Sequence, residues 1–284
     1  MIARLTRGNK IDRQPKNHLQ HFKLTEPELI ETTALANVYR ARQPEGNWVA
    51  LKCWHNPNSE KNAITYLQAL DGQGAVSVLG HREGAVILEH LDGPHLGDLS
   101  RSGRDKEASE ILVQVAYRLH QSSEMDLSKL PSVERWFRAL FQTDFASDCS
   151  AQLRADIEAS RLLARNLLDT STAAVALHGD LHHDNVLAHK GEWIAIDPKG
   201  LWGDPAFEMA NAMRNPNGAE QLMRAPEIIQ QRAAIYADAF GISPKRMLQW
   251  AAAKTALSIS WRGNGSIKED EDSDLLHRFL EMST

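Results

Sequence analysis

His178-Gly179-Asp180-Leu181-His182-His183-Asp184-Asn185-Val186-Leu187, followed by Trp193-Ile194-Ala195-Ile196-Asp197-Pro198, is the stretch on which the reading of this chain turns. Val186-Leu187-Ala188 and Trp193-Ile194-Ala195-Ile196 read as two short strands joined through Lys190-Gly191. The polar residues gather at their ends, while Val175, Leu177, Val186, Leu187, Ile194 and Ile196 anchor the flanks. A rigid apolar base with polar groups on its connecting loops is a common way to build a site. Asp180 and Asn185 are five positions apart and Asp197 lies twelve further on. A carboxylate can orient a hydroxyl and take its proton, and an amide carbonyl with a second carboxylate offers the oxygen donors that a hard cation prefers.

Upstream, the pattern changes along the chain. Residues 38–42 and 48–54 read as strands joined by the turn Pro44-Glu45-Gly46-Asn47, 60–70 as a helix, and 75–79 and 85–90 as two more strands. Gly93, Pro94 and Gly97 then break the pattern, and beyond them 105–121, 132–142, 150–168 and 226–240 read as helices. Gly241 ends the last of these, and Ser243 caps another with Pro244 at its first position. The expected organisation is a basic, irregular arm over 1–24, a small β-rich lobe over 25–91 and a large helical lobe over 92–284, with a ligand cleft between the lobes.

The 284 residues are 42% apolar and 24% charged, which suits an ordinary globular chain of one large domain or two lobes. Two cysteines, Cys53 and Cys149, exclude a disulfide framework and a cysteine zinc cluster. No apolar run approaches the roughly 18 residues of a membrane helix. The basic N-terminus lacks the apolar stretch of a secretion signal, so a cytoplasmic protein with no membrane partner is expected. A net charge of −5 argues against a nucleic-acid partner. Charge is nonetheless uneven: residues 1–24 carry six Lys or Arg against Asp12 alone, and Glu269-Asp270-Glu271-Asp272-Ser273-Asp274 holds five acids.

The spacing of Asp180, Asn185 and Asp197 is that of kinase-type phosphoryl transfer. Such a reaction also needs a cation on the nucleotide phosphates. Lys52, mid-strand in Val49-Ala50-Leu51-Lys52, fits this, with Glu60, eight residues on, as the carboxylate that holds it. The run HGDLHHDNVL…WIAIDPKGLWGDPAFEMAN resembles the aminoglycoside phosphotransferases, and most closely their branch of streptomycin kinases and hydroxyurea kinases. The similarity covers residues 28–284 and leaves out the N-terminal arm. It implies an α+β, protein-kinase-like bilobal fold, with a small antiparallel β lobe and a larger, mainly helical one. It implies ATP and Mg2+, with Asp180 as catalytic base, Asn185 and Asp197 as magnesium ligands, and Lys52 with Glu60 at the phosphates. It further implies that Glu89-His90-Leu91 is a hinge whose backbone binds adenine.

Asp180 follows His-Gly rather than His-Arg, and Asp197 is followed by Pro198-Lys199-Gly200 rather than Phe-Gly. Both departures are usual in the antibiotic-kinase branch and argue for a small-molecule hydroxyl acceptor over a protein. The segment expected over the phosphates, 31–37, has no glycine, so Thr32, Thr33 and nearby amides are expected to cover them. No G-x-G-x-x-G or P-loop motif occurs, which argues against a Rossmann site and a P-loop fold. Asp204-Pro205 reads as a helix cap with proline at the first helical position. Glu208 and Asn211 on that helix are open between core, solvent and substrate, and Glu208 is taken as a substrate-side candidate together with Glu269, Asp270, Glu271 and Asp272. An acidic rim at those four would attract a cationic acceptor such as a guanidinium-bearing aminoglycoside; the alternative is a solvated loop. Alternatives for the whole chain are a nucleotide-binding pseudokinase, a kinase of an unidentified metabolite, or a metal hydrolase using the histidines, which would leave Lys52 and Glu60 unexplained.

Overall fold

Alternating burial over Trp48–Trp54, with Val49, Leu51 and Trp54 buried, marks a strand with one face on a core. The computed structural model describes residues 15–56, 61–121 and 125–284. These fall into two units, one of 15–56 with 78–90 and one of 61–77 with 91–284. The first holds helix α1 (Lys16–Phe22) and strands β1 (Thr25–Thr32), β2 (Ala36–Arg42), β3 (Trp48–Trp54), β4 (Val78–Arg82) and β5 (Ala85–Glu89). They form one antiparallel sheet in the order β1-β2-β3-β5-β4. Leu24, Ala41, Val49, Leu51, Ala85 and Ile87 make its core. Lys52 sits opposite Val38 on one side and Val86 on the other.

Three sequence expectations shift here. The described part of the N-terminal arm is not irregular: α1 forms because Leu19 and Phe22 pack on the sheet core; residues 1–14 lie outside the described residues. Strand β1 escapes the sequence reading because all eight of its residues are exposed, so no apolar alternation marks it. The strand expected at 75–79 lies at 78–82 instead, since Ala75 bridges to Ala195 and the Val76 N–H donates to the Ala195 carbonyl (2.9 Å).

The second unit contains α2 (Lys61–Leu70), α3 (Gly97–Arg101), α4 (Asp105–His120), α5 (Val133–Gln142), α6 (Ala151–Asp169), α7 (Glu220–Arg224), α8 (Pro226–Phe240), α9 (Pro244–Gly263) and α10 (Ser273–Met282). Helix α9 is buried along most of its length, and α6, α8 and α10 pack on it. Trp250 of α9 meets Phe137 of α5 and Phe207, with ring centroids 6.2 and 5.4 Å away. The Ser243 hydroxyl accepts from the Arg246 N–H at the start of α9, and Gly241 ends α8 in the left-handed conformation. Short strands complete the unit: β6 (Asp144–Phe145), β7 (Val175–Leu177), β8 (Val186–His189), β9 (Glu192–Ala195), β10 (Leu201–Gly203) and β11 (Ser266–Ile267). Pairing of β7 with β10 and of β8 with β9 brings the loops 178–185 and 196–200 together, while β6 pairs with β11 in a separate two-stranded sheet. No helix among the described residues is long and apolar enough to cross a membrane.

Candidate functional site

The polar loop leaves β7 through Gly179, whose φ of +80° favours glycine, and whose added Cβ would lie 2.8 Å from a Leu201 methyl. His178 before it is fully buried. Its Nε2–H donates to the Ile196 carbonyl (2.8 Å), and its Nδ1 accepts from the Asp180 N–H (3.2 Å). Burial holds the ring below its ordinary pKa, so it is a neutral clamp between the two loops. Asp180 Oδ1 accepts from Asn211 Nδ2 (2.8 Å), and Oδ2 lies 3.5 Å from Lys199 Nζ. Burial pushes the Asp180 carboxyl up, but Lys199, with His182 and Lys254 behind it, outweighs this and holds it below the usual range. The carboxylate is therefore ionised at neutral pH and fixed in direction, as a group that receives a proton from a hydroxyl must be.

The structure brings Asn185 and Asp197 to the same place. The Ile196 N–H donates to the Asn185 carbonyl (2.8 Å), which locks the two loops together beside both residues. Asn185 Nδ2 donates to the Asp180 carbonyl (2.9 Å), so its side-chain oxygen is the group available to a cation. Asp197 has φ +58°, a conformation that costs a non-glycine residue about 1–3 kcal/mol and tends to persist at functional sites. Its Oδ2 lies 3.4 Å from Lys199 Nζ, which thus reaches both aspartates. An amide oxygen and a carboxylate suit a hard divalent cation such as Mg2+, so the donor chemistry of this pair fits that ion.

Of the three surroundings open to Glu208 from the sequence, core, solvent and substrate, the structure gives it the core, beneath the loop. It is 1% exposed, and its carboxylate accepts from the N–H groups of His178 (2.8 Å) and Gly179 (2.9 Å) while lying 3.1 Å from His120 Nε2. Burial opposes its charge, but the His120 hydrogen bond and these amides hold its pKa below the ordinary value. The Asp204 carboxylate accepts from the Ala206 N–H and caps the 3-10 turn Pro205–Ala210, which delivers Glu208 and, three residues on, Asn211 to the loop. Lys199 and Lys254 are not among the candidate site residues that the sequence offers. Lys199 had a signal in its place two residues after Asp197, and Lys254 in being a lone charge amid the apolar run Ala251-Ala252-Ala253 and Ala256-Leu257. Lys254 is 4% exposed, donates to Ser258 Oγ (3.1 Å) and lies 5.0 Å from the Trp261 ring centroid.

The acidic stretch lies between α9 and α10, and arginines occupy much of it. Arg262 pairs with Asp270 (2.5 Å) and Asp272 (2.7 Å), Arg214 with Asp272 (2.9 Å), and Arg224 with Asp274 (2.7 Å). Asp272 is buried, whereas Glu269 and Glu271 are exposed. In the sheet unit, Thr32 ends β1 opposite Asn37, and the Thr33 hydroxyl accepts from the Leu35 and Ala36 N–H groups inside the β1–β2 turn. Glu89 ends β5 opposite Val49, and at Leu91 the chain re-enters the second unit. Glu60 lies outside the described residues. A cavity of about 490 Å3, walled by Phe141, Arg165, Trp202 and Asp204 among others, includes none of the candidate residues.

The family described as aminoglycoside/hydroxyurea antibiotic resistance kinase matches residues 21–265. A streptomycin 3''-kinase of Klebsiella pneumoniae is 37% identical over 199 residues, spanning 67% of this chain and 71% of that one. A hydroxyurea phosphotransferase of Kitasatospora aureofaciens is 32% identical over 254 residues, spanning 83% of this chain and 67% of that one. Among solved structures, an amicoumacin kinase in complex with AMP-PNP, Ca2+ and Ami superposes with a TM-score of 0.65 at 14% identity, covering 96% of this chain and 93% of that one. That likeness establishes the protein-kinase-like fold.

Proposed function

The chain belongs to the aminoglycoside/hydroxyurea antibiotic resistance kinase family, and we propose that it transfers the γ-phosphoryl group of ATP to a hydroxyl of a streptomycin-like or hydroxyurea-like acceptor. Membership makes it a phosphotransferase acting on hydroxyl groups of small molecules. The observation that carries the finer reading is the Asp180 carboxylate, held ionised by Lys199 and aimed by Asn211. An acceptor hydroxyl meeting it is oriented and surrenders its proton as its oxygen bonds to the γ-phosphorus and ADP departs.

Asn185 and Asp197 would hold Mg2+, which when bound supplies positive charge to the phosphate oxygens. Lys199, 3.5 Å from one aspartate and 3.4 Å from the other, keeps both carboxylates from repelling each other. Lys52 with Glu60 is assigned to the phosphates, Thr32 and Thr33 with neighbouring amides to their cover, and the backbone of Glu89 and Leu91 to adenine. For the acceptor, the attraction of a cation falls to Glu269 and Glu271, since Asp270 and Asp272 are engaged by arginines. A nucleotide-binding module without catalysis would lack one of the catalytic groups, and Asp180, Asn185, Asp197 and Lys52 are all present.

The test is ADP release from Mg-ATP in the presence of streptomycin, other aminoglycosides, hydroxyurea and small alcohols. Release that depends on streptomycin or hydroxyurea is expected. Release no faster with any acceptor than with water, from protein that binds Mg-ATP, would overturn the proposal in favour of a pseudokinase or a kinase of another metabolite.

A further inference from the structure

Asp184 sits inside the polar loop, yet the phosphoryl-transfer reading gives it no task. Its surroundings are built with unusual care for an ordinary turn residue. Arg101 Nη1 donates to Asp184 Oδ1 (2.8 Å) and also to the Asn217 carbonyl (3.0 Å). The Asn217 N–H returns a hydrogen bond to Asp184 Oδ2 (2.9 Å), so both carboxylate oxygens are held from two separate segments. The His95 ring donates from Nδ1 to the Asp184 carbonyl (2.7 Å), and the Leu96 N–H donates to the Val186 carbonyl (2.8 Å). Gly97 lets the start of α3 come close: a Cβ there would stand 2.1 Å from Asp184 Oδ1. Residues 184 and 186 are thus pinned from one side, and the residue between them is Asn185.

We propose that the clasp of Arg101, Asp184 and Asn217, closed over Gly97, is the device that positions Asn185 for the divalent cation. The inference rests on the assignment of Asn185 to that ion. An asparagine oxygen is a weak, uncharged ligand, and its contribution depends on the direction in which the backbone presents it. Asn185 Nδ2 is fixed on one side by the Asp180 carbonyl. The clasp fixes the backbone on the other, so that the side chain leaves it in one direction. Arg101 and Asp184 are positioning residues that act through Asn185. Removal of outer groups that orient metal ligands typically lowers metal affinity by about 10–100-fold.

The test reads Mn2+ binding by electron paramagnetic resonance, using full-length protein saturated with AMP-PNP and no acceptor. Arg101→Met, Asp184→Ala and Gly97→Ala should each weaken Mn2+ binding by about 10-fold or more. Affinity for metal-free AMP-PNP should change less than 2-fold. Gly97→Ala reaches Asp184 by steric displacement rather than by loss of charge, and so tests the clasp independently should either charge variant fail to fold. Asp98→Ala removes the exposed partner on the far side of the same guanidinium (2.8 Å) and should leave Mn2+ affinity within 2-fold. Unchanged Mn2+ affinity in folded Gly97→Ala, or equal losses for Mn2+ and metal-free nucleotide, would overturn the proposal. Absence of Mn2+ binding in the unaltered protein would overturn the metal assignment as well, whereas failure of the variants alone to differ would leave that assignment standing.

Discussion

Replacing Lys254 with methionine should make the protein more stable at neutral pH. Burial first, and Arg214 next, push the Lys254 ammonium down from its ordinary 10.5 to about 7, against the pull of Asp180 and Asp272. At 1.36 kcal/mol per pH unit, holding this lysine in the fold costs about 4 kcal/mol at pH 7. Methionine is of similar length and carries no charge to desolvate. It leaves Ser258 Oγ without its donor at 3.1 Å, a loss of about 1 kcal/mol. The net expectation is a gain of about 2–4 kcal/mol at pH 7. The sign follows from linkage: a lysine with a depressed folded-state pKa makes the unfolded chain the better proton binder between about 7 and 10.5, so the unaltered protein gains stability as pH rises through that window. Urea unfolding followed by tryptophan fluorescence, run on both proteins from pH 6.5 to 9.5, should show the advantage of Lys254→Met shrinking by about 3 kcal/mol. Parallel stability profiles, or a variant less stable at every pH, would refute the reasoning. The same substitution removes a cation that helps keep Asp180 ionised, so the acidic limb of the pH–rate profile should move upward.

Glu208→Gln should destabilise the loop by about 2–3 kcal/mol, because an amide cannot accept from both the His178 and Gly179 N–H groups; thermal melting reads this, and an unchanged midpoint would mean the carboxylate is not the brace. Asp272→Asn strips the half-buried Arg214 of its anion and should cost about 1–3 kcal/mol of stability in urea. Neutralising Glu269 and Glu271 should leave stability within about 0.5 kcal/mol. It should raise KM for a cationic aminoglycoside at low salt and leave hydroxyurea kinetics unmoved; indifference of the aminoglycoside to both mutation and salt would make the stretch a solvated loop.

What the sequence made legible follows the strength of local patterns. The α8 boundaries and the Ser243 cap of α9 were readable because proline, glycine and serine each impose a local backbone geometry. Strand β1 was not, since an edge strand with no buried residue carries no period. The loop of Asp180 stood out through its density of polar residues. Its supports were legible only in part: Asp204-Pro205 announces the turn that carries Glu208 and Asn211, but nothing local says that it faces the loop, with Phe207 against Trp250. The arginine partners of the acidic stretch, at 214, 224 and 262, are set against it by the packing of the second unit, and no spacing in the sequence announces those pairs.

The central claim is that Asp180 takes the proton of an acceptor hydroxyl during phosphoryl transfer. Single-turnover transfer from Mg-ATP to streptomycin or hydroxyurea, with the phosphorylated acceptor quantified by mass spectrometry, compares the unaltered protein with Asp180→Asn most directly. Loss of the base should slow the transfer step by about 10²–10⁴-fold while Mg-ATP affinity stays the same. Phosphorylated acceptor formed by Asp180→Asn at close to the unaltered rate would contradict the claim.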